Sequence, residues 1–109
     1  MAKNLELVLL LDCYGELLTE RQRDLAELYY NEDLSLSEIA EMRDITRQAV
    51  RDSLRHSEAA LLETEQKLGM AGRISAMRRC LEEIRLQCAA DAPDIQKITE
   101  LTGEGLRLL

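Results

Sequence analysis

Four side chains suited to bonding nucleic acid lie close together in the middle of the chain: Arg47, Gln48, Arg51 and Arg55. Arginine and glutamine donate hydrogen bonds to base edges, and arginine also pairs with phosphates. If this segment is a helix with its apolar residues buried, all four side chains project outward. Their types and spacing make nucleic acid the first candidate ligand.

The segment that positions these side chains has the pattern of two helices joined by a tight turn, over residues 36–43 and 47–68. Ser35 can cap the first helix while Glu38 reaches back to complete a capping box, and Thr46 can cap the second. The spacing predicts a helix-turn-helix. Its buried faces are expected to come from Ile39, Ala40, Val50 and Leu54.

Two residues in the predicted turn differ from the usual pattern of this motif. Asp44 occupies a position that commonly holds glycine, and aspartate tolerates a left-handed backbone better than most residues do. Arg43 stands where an apolar residue usually closes the helix pair. We expect its aliphatic stem to cover apolar surface while the guanidinium group stays in water.

The composition predicts an all-α fold. The 109 residues include no Phe or Trp and one proline, Pro93, and no segment clusters β-branched residues as a strand would. Besides the two helices of the motif, we expect helices over 4–18, from Thr19 to Asn31, over about 71–90, and a short one opened by Pro93. The first helix is expected to lie at the centre of the fold. Its predicted buried residues are Leu5, Val8, Leu9, Leu11 and Leu17.

The charge of the chain is uneven. The formal net charge is −7, which disfavours nonspecific coating of nucleic acid because a negative surface repels phosphates. Residues 47–56 nevertheless hold three arginines against Asp52, and residues 73–85 hold four arginines against two glutamates, so each segment is locally positive. The alternative is that these arginines are merely solvated or pair with neighbouring acids.

Two apolar stripes with heptad-like spacing follow the motif. The first runs along helix 47–68 and is expected to lie against another long helix; it consists of Val50, Leu54, Ser57, Leu61, Thr64 and Leu68. Gly69 and Gly72 are expected to form a corner after it. In the last helix, Gly103 and Gly105 are expected to interrupt the helical run.

The second stripe is predicted to be a homodimer interface, because two-fold symmetry gives helix-turn-helix proteins affinity and half-site spacing. It consists of Ile74, Met77, Leu81, Ile84 and Cys88. The alternative is packing against residues 57–68 of the same chain. The chain is thus divided into a helix-turn-helix unit over 1–69 and a C-terminal helical dimerisation or packing arm over 70–109, within one compact domain.

Neither catalysis nor metal binding is expected. Three cysteines without paired spacing, Cys13, Cys80 and Cys88, favour a reducing cytoplasm and buried thiols. His56 is the sole histidine, and no nucleophile with a base, glycine-rich phosphate loop or metal cluster occurs. We therefore predict a protein that is not an enzyme, with no cofactor, no signal peptide and no membrane segment.

The first 69 residues resemble the YlxM family of small bacterial proteins, which is itself similar to region 4 of sigma factors. The resemblance implies an all-helical cytoplasmic protein with a regulatory role in or near the signal recognition particle pathway. It is carried by Leu17-Leu18-Thr19, Gln22-Arg23, Leu28-Tyr29-Tyr30, Asp33, Ser35-Leu36, Glu38-Ile39-Ala40-Glu41, Arg47-Gln48-Ala49-Val50 and Glu58.

Similarity to sigma region 4 implies that helix 47–56 enters a major groove. It would present Arg47, Gln48, Arg51 and Arg55 to the bases, with Thr46 and His56 near phosphates. DNA is the first choice and RNA is also open, because the signal recognition particle contains RNA. The second candidate is a protein adaptor that binds a signal recognition particle protein or polymerase through an acidic helical surface.

Overall fold

The computed structural model describes residues 3–109, which contain six α-helices and one 3-10 turn and no strand. The all-α prediction is confirmed. The elements are α1 (Leu5–Tyr14), the 3-10 turn (Gly15–Leu17), α2 (Glu20–Tyr30), α3 (Leu36–Arg43), α4 (Arg47–Leu68), α5 (Met70–Ala89) and α6 (Ile95–Arg107). They form two compact units, one ending at Leu68 and the other comprising Gly69–Leu109.

In the first unit α4 is the central helix, and α1, α2 and α3 each pack against it. Four residues of the predicted stripe on α4 are buried, namely Val50, Leu54, Ser57 and Leu61. The expectation of one long partner helix was wrong, because three short helices share this stripe. Full burial of each aliphatic side chain contributes about 1.5–3 kcal/mol, so Val50, Leu54 and Leu61 anchor α4 in the unit.

The predicted helix caps are confirmed. Thr19 and Gln22 form a reciprocal capping box at α2, and Ser35 and Glu38 form one at α3. At α4 the Thr46 hydroxyl accepts a hydrogen bond of 3.0 Å from the backbone N–H of Ala49. Each cap satisfies amide groups that the first turn of a helix leaves without partners, so the starts of these three helices are set locally.

The buried face of α1 differs from the predicted one. Leu11 is buried as expected, but the other buried residues are Leu7, Leu10 and Tyr14, whereas Leu5, Leu9 and Leu17 are exposed and Val8 is half-buried. The apolar residues of α1 are distributed around its whole circumference, so their periodicity does not indicate which face is buried. The α-helix also ends at Tyr14, and the 3-10 turn moves Leu17 out of the helical register.

In the second unit α5 and α6 pack against each other, with Cys80 and Leu101 buried. Gly69 precedes α5 with a left-handed φ of 63°. The expected corner is therefore a single residue, since Gly72 lies inside α5. The expected interruption at Gly103 and Gly105 was wrong as well: α6 continues through both, because an isolated glycine costs a helix only about 1 kcal/mol.

Candidate nucleic-acid interface

All six side chains that the sequence and the resemblance assigned to nucleic acid are exposed at the start of α4. They are Thr46, Arg47, Gln48, Arg51, Arg55 and His56. Burial of the opposite side of α4 against the other three helices turns this end outward. The chain thus provides an accessible helix N-terminal half, which is the part that helix-turn-helix proteins place in a major groove.

Three guanidinium groups on α4 form no ion pair with another residue that the structure describes. Within residues 3–109, no carboxylate lies within 4 Å of the charged groups of Arg47, Arg51 or Arg55, whereas Arg23 and Arg43 in the same unit pair with Glu27 and Asp24. Pairing with neighbouring acids therefore does not account for the α4 arginines. Successive members are four residues apart, so each lies about 6 Å further along the axis and about 40° further around it.

Gln48 and His56 differ from the three arginines, Gln48 in its hydrogen bond and His56 in its direction. The Gln48 amide donates a hydrogen bond of 2.9 Å to the carboxylate of Asp52, one turn later on α4. His56 follows Arg55 directly and is therefore rotated about 100° away from it around the helix. A ligand that contacts the arginines and Gln48 therefore also approaches the carboxylate of Asp52. The same ligand contacts His56 only if it extends further around α4.

Arg51 and Arg55 line a cavity of about 280 Å³ beside α4. Leu54 of α4 is buried there, and α2 and the start of α3 contribute the half-buried Tyr29 and Leu36. Glu58, which follows Arg55 by three residues, completes the lining. The two arginines thus border an apolar recess with one carboxylate.

Lys3 holds Tyr29 in place at the edge of this cavity. Its ammonium lies 3.6 Å from the centroid of the Tyr29 ring and donates hydrogen bonds to the carbonyl oxygens of Tyr29 and Leu34. The ring of Tyr30 meets that of Tyr29 edge to face, at a centroid distance of 4.9 Å. These contacts are expected to keep the Tyr29 ring from closing the recess.

The turn before α4 adopts the geometry that the motif requires. The backbone of Asp44 is left-handed, with φ 54° and ψ 48°. Its N–H donates hydrogen bonds to backbone carbonyl oxygens at the end of α3. The guanidinium group of Arg43 is partly exposed, but it also donates hydrogen bonds of 2.8 and 3.0 Å to Asp24 of α2, which the sequence did not predict. This pairing lowers the pKa of Asp24 and raises that of Arg43.

Three residues of the cavity were not predicted as site residues from the sequence, namely Tyr29, Leu36 and Glu58. Helical spacing could have indicated Glu58, because it lies three residues after Arg55 and seven after Arg51, on the same flank of α4. Tyr29 and Leu36 reach the cavity only through the packing of α2 and α3 on α4. No spacing rule within one helix could have found them.

The predicted dimer stripe is largely uncovered in the second unit. Leu81, Ile74 and Cys88 are exposed, while Met77 and Ile84 are half-buried. The side of α5 that meets α6 is instead centred on Cys80, whose thiol lies 3.9 Å from a carboxylate oxygen of Glu104.

The net negative charge of the chain comes entirely from its first part. Residues 1–68 hold eight basic and fifteen acidic residues, a net charge of −7, while residues 69–109 hold six of each and are neutral. The exposed arginines of α4 are therefore a positive stripe on an otherwise acidic unit. Such a pattern disfavours nonspecific attraction to phosphate and confines favourable contacts to one end of α4.

Residues 3–109 show neither a cluster of three metal-ligating side chains nor a helix long and apolar enough to cross a membrane.

Comparison with known proteins places the chain in a family. A family model, UPF0122, described as "Putative helix-turn-helix protein, YlxM / p13 like", matches residues 1–101. A UPF0122 protein of Desulforamulus reducens is 53% identical over 76 residues, which cover 70% of this chain and 65% of that protein. Others from Symbiobacterium thermophilum and Shouchella clausii are 49% and 46% identical, each over 82% of this chain and over 81% and 82% of their own lengths. The resemblance drawn from the sequence is confirmed, and the chain belongs to the UPF0122 family of YlxM / p13-like helix-turn-helix proteins.

Proposed function

We propose that this protein is a non-catalytic regulator that binds nucleic acid through the first three turns of α4, with DNA as the preferred ligand. One observation carries the proposal: Arg47, Arg51 and Arg55 are exposed, lie along one flank and have no carboxylate partner among the described residues. Unpaired arginines on a helix are suited to both base edges and phosphates. The resemblance adds the expectation that it acts in the cytoplasm, in the signal recognition particle pathway.

The acidic surroundings predict how such binding behaves. Three phosphate contacts give a slope of about −2.7 for log K against log salt on a duplex. The remaining surface of the unit repels the backbone, so binding to a random duplex is weak. Selectivity then depends on base contacts by the arginines, of which one bidentate pair to guanine contributes about 1–3 kcal/mol.

The proposal is tested by substituting the three arginines singly with alanine and titrating labelled DNA duplexes selected from a random pool. We expect Arg51→Ala to weaken binding to the selected site by about 1–3 kcal/mol if it reads a guanine. A pure phosphate contact instead weakens all sequences equally and reduces the salt slope by about 1. Arg21→Ala, an exposed arginine on α2, is the matched control.

Equal binding by the three variants, the control and the unsubstituted protein would show that the positive stripe is not the binding surface. In that case the adaptor becomes the better candidate. It is favoured by one observation, the net charge of −7 on residues 1–68, which suits a basic protein partner. Substitution of acidic residues, and not of the α4 arginines, would then weaken capture of a signal recognition particle protein or polymerase.

The proposed assembly is a homodimer through the α5–α6 hairpin. Ile74 and Leu81 of α5 lie beside the contact with α6, as do Ile95 and Leu106 of α6, and all four are exposed. The helical periodicity of two antiparallel helices places them on the same side of the hairpin. The neutral net charge of residues 69–109 removes the repulsion that two acidic units would have, which favours self-association here.

A further inference from the structure

The cavity beside α4 joins opposite charges to an apolar floor. Tyr29, Leu36 and Leu54 supply the apolar surface, and Arg51, Arg55 and Glu58 supply charge. Its volume of about 280 Å³ is close to the lower limit of small-molecule sites, about 300 Å³. A space of this size and lining accepts one flat ring system.

The charged groups define the hydrogen-bonding edges that such a ring must carry. Guanidinium groups only donate, so Arg51 and Arg55 require acceptors on the ligand. An ionised carboxylate only accepts, so Glu58 requires donors. A bare phosphate satisfies the arginines but opposes Glu58 and leaves the apolar floor without a contact.

Guanine carries both kinds of edge. Its N7 and O6 atoms are adjacent acceptors, the pair that arginine bonds in a major groove. Its N1–H and N2–H groups are adjacent donors on the Watson–Crick edge, which a carboxylate can accept together. Adenine and cytosine have a single amino donor, and thymine or uracil has a single ring N–H donor, so none of them offers an adjacent pair of donors together with an adjacent pair of acceptors.

Glu58 is already oriented for this contact. One of its carboxylate oxygens accepts a hydrogen bond from the Tyr30 hydroxyl, which fixes the group at the wall of the cavity. A carboxylate has about four lone-pair sites, so it can still accept two further donors. Because Lys3 also holds Tyr29, less ordering is needed when a ligand enters.

We infer that the cavity lined by Arg51, Arg55 and Glu58 binds one unpaired guanine of a nucleic-acid strand. The base is unpaired because Glu58 takes the edge that pairing would use. Its faces contact Tyr29, Leu36 and Leu54, in the way that single-stranded bases are held on aromatic and apolar side chains. This inference rests on the proposed function in taking nucleic acid as the ligand, and it concerns single-stranded segments, which the same arginines would bind separately from a duplex.

The test uses the whole protein and fluorescently labelled oligonucleotides of twelve uridines in which one central residue is varied. Guanosine is expected to bind more tightly than adenosine by about 5- to 150-fold, the equivalent of one good bidentate pair. Inosine lacks the N2 amine and 7-deazaguanosine lacks N7, so each is expected to lose part of that preference. The same set in a deoxyribose backbone distinguishes an RNA source of the guanine from a DNA source.

Two variants separate recognition by Glu58 from its structural role. Glu58→Gln removes one acceptor and is expected to abolish the preference for guanosine over inosine. Tyr30→Phe breaks the same interhelical hydrogen bond but keeps the carboxylate, so it is expected to retain the preference even if the protein is less stable. Thermal melting of both variants shows that each is folded at the temperature of the titration.

Equal affinity for all four oligonucleotides would overturn the guanine site. If Arg51→Ala still weakens duplex binding in that case, the proposed function stands without this site. If neither single strands nor duplexes bind at any salt concentration, both the proposed function and the guanine site are wrong. Loss of the preference in Tyr30→Phe and not in Glu58→Gln would also contradict the role given to Glu58.

Discussion

The Tyr30 hydroxyl donates a hydrogen bond to Glu58, joining the end of α2 to the middle of α4. A second bond of the same kind runs from Tyr14 of α1 to Glu65, at 2.6 Å, seven residues further along α4. Seven residues are about two helical turns, so the two tyrosines hold the same side of α4. Two helices thereby fix the direction of the helix that carries Arg47, Arg51 and Arg55.

The first prediction concerns the Tyr30–Glu58 bond. Tyr30→Phe is expected to lower the free energy of unfolding by about 1.5–3 kcal/mol, because a hydrogen bond to a charged group is lost. Urea denaturation followed by circular dichroism measures this change. An unchanged midpoint would mean that the bond contributes nothing to stability.

The same bond predicts a dependence on alkaline pH. Burial and the hydrogen bond to Glu58 raise the pKa of Tyr30 above its ordinary value, so the folded protein retains a proton that the unfolded chain loses above about pH 10. This contribution is complete below that pH and decreases as pH rises above it. Tyr30→Phe is therefore expected to lose less stability than the unsubstituted protein between about pH 9 and about pH 11. Parallel stability curves for the two proteins would contradict the assignment.

A prediction at acid pH follows from Asp24 and Arg43. The hydrogen bonds from Arg43 lower the pKa of Asp24, so this carboxylate stabilises the folded state above its unfolded pKa and loses that effect as pH falls through the folded value. Asp24→Asn is expected to be less stable than the unsubstituted protein near neutral pH. The difference should narrow from about pH 5 to about pH 3, as measured by thermal melting. A constant difference would show that the ion pair is not the cause.

The helix starts could be predicted because the relevant interactions are local. Thr19 with Gln22, Ser35 with Glu38 and the hydroxyl of Thr46 each act within four residues, so the sequence alone contains both partners. The buried face of α1 could not be predicted in this way. Its apolar residues surround the helix, and only contact with α2 and α4 selects Leu7, Leu10 and Leu11 for burial.

The candidate site was predictable only in part, for the same reason. Arg47, Arg51 and Arg55 share one helix, so helical periodicity placed them together correctly. That no carboxylate of residues 3–109 pairs with them depends on the packing of the other helices and on the hydrogen bonds that Asp52 and Glu58 accept from other residues. The cavity depends on Tyr29 and Leu36 coming close to α4, a long-range contact that leaves no periodic signal.

Asp44 allows a direct test of the turn. Its left-handed backbone costs an ordinary residue about 1–2 kcal/mol, and glycine avoids this cost while losing about 0.4–1 kcal/mol of stability through its flexible unfolded chain. We therefore expect Asp44→Gly to be neutral or slightly stabilising and Asp44→Ala to be less stable than Asp44→Gly by about 1 kcal/mol. Chemical denaturation of the two variants measures the difference. Equal stability of the glycine and alanine variants would show that the turn does not require a positive φ.

Substitutions of two exposed leucines of α5 test the proposed dimer. Leu81 and Leu86 are exposed to similar extents, 61% and 66%, but they lie about 140° apart around the helix. Leu81 belongs to the side that also carries the exposed Ile95 and Leu106 of α6, whereas Leu86 faces away from it. If the protein is a monomer, both positions are exposed and a glutamate at either one should leave the fold intact.

Leu81→Glu is therefore expected to shift sedimentation at micromolar concentration from dimer to monomer, because it places a charge within an apolar interface. Leu86→Glu is expected to sediment as the unsubstituted protein does. Burying a charged group without a partner costs several kcal/mol, which corresponds to a loss of affinity of more than about a hundredfold. A monomer in the unsubstituted protein, or equal effects of the two substitutions, would exclude this side of the hairpin as the interface. In that case the stripe from Ile74 to Cys88 needs a different partner, and half-site spacing from two-fold symmetry no longer applies to the proposed DNA complex.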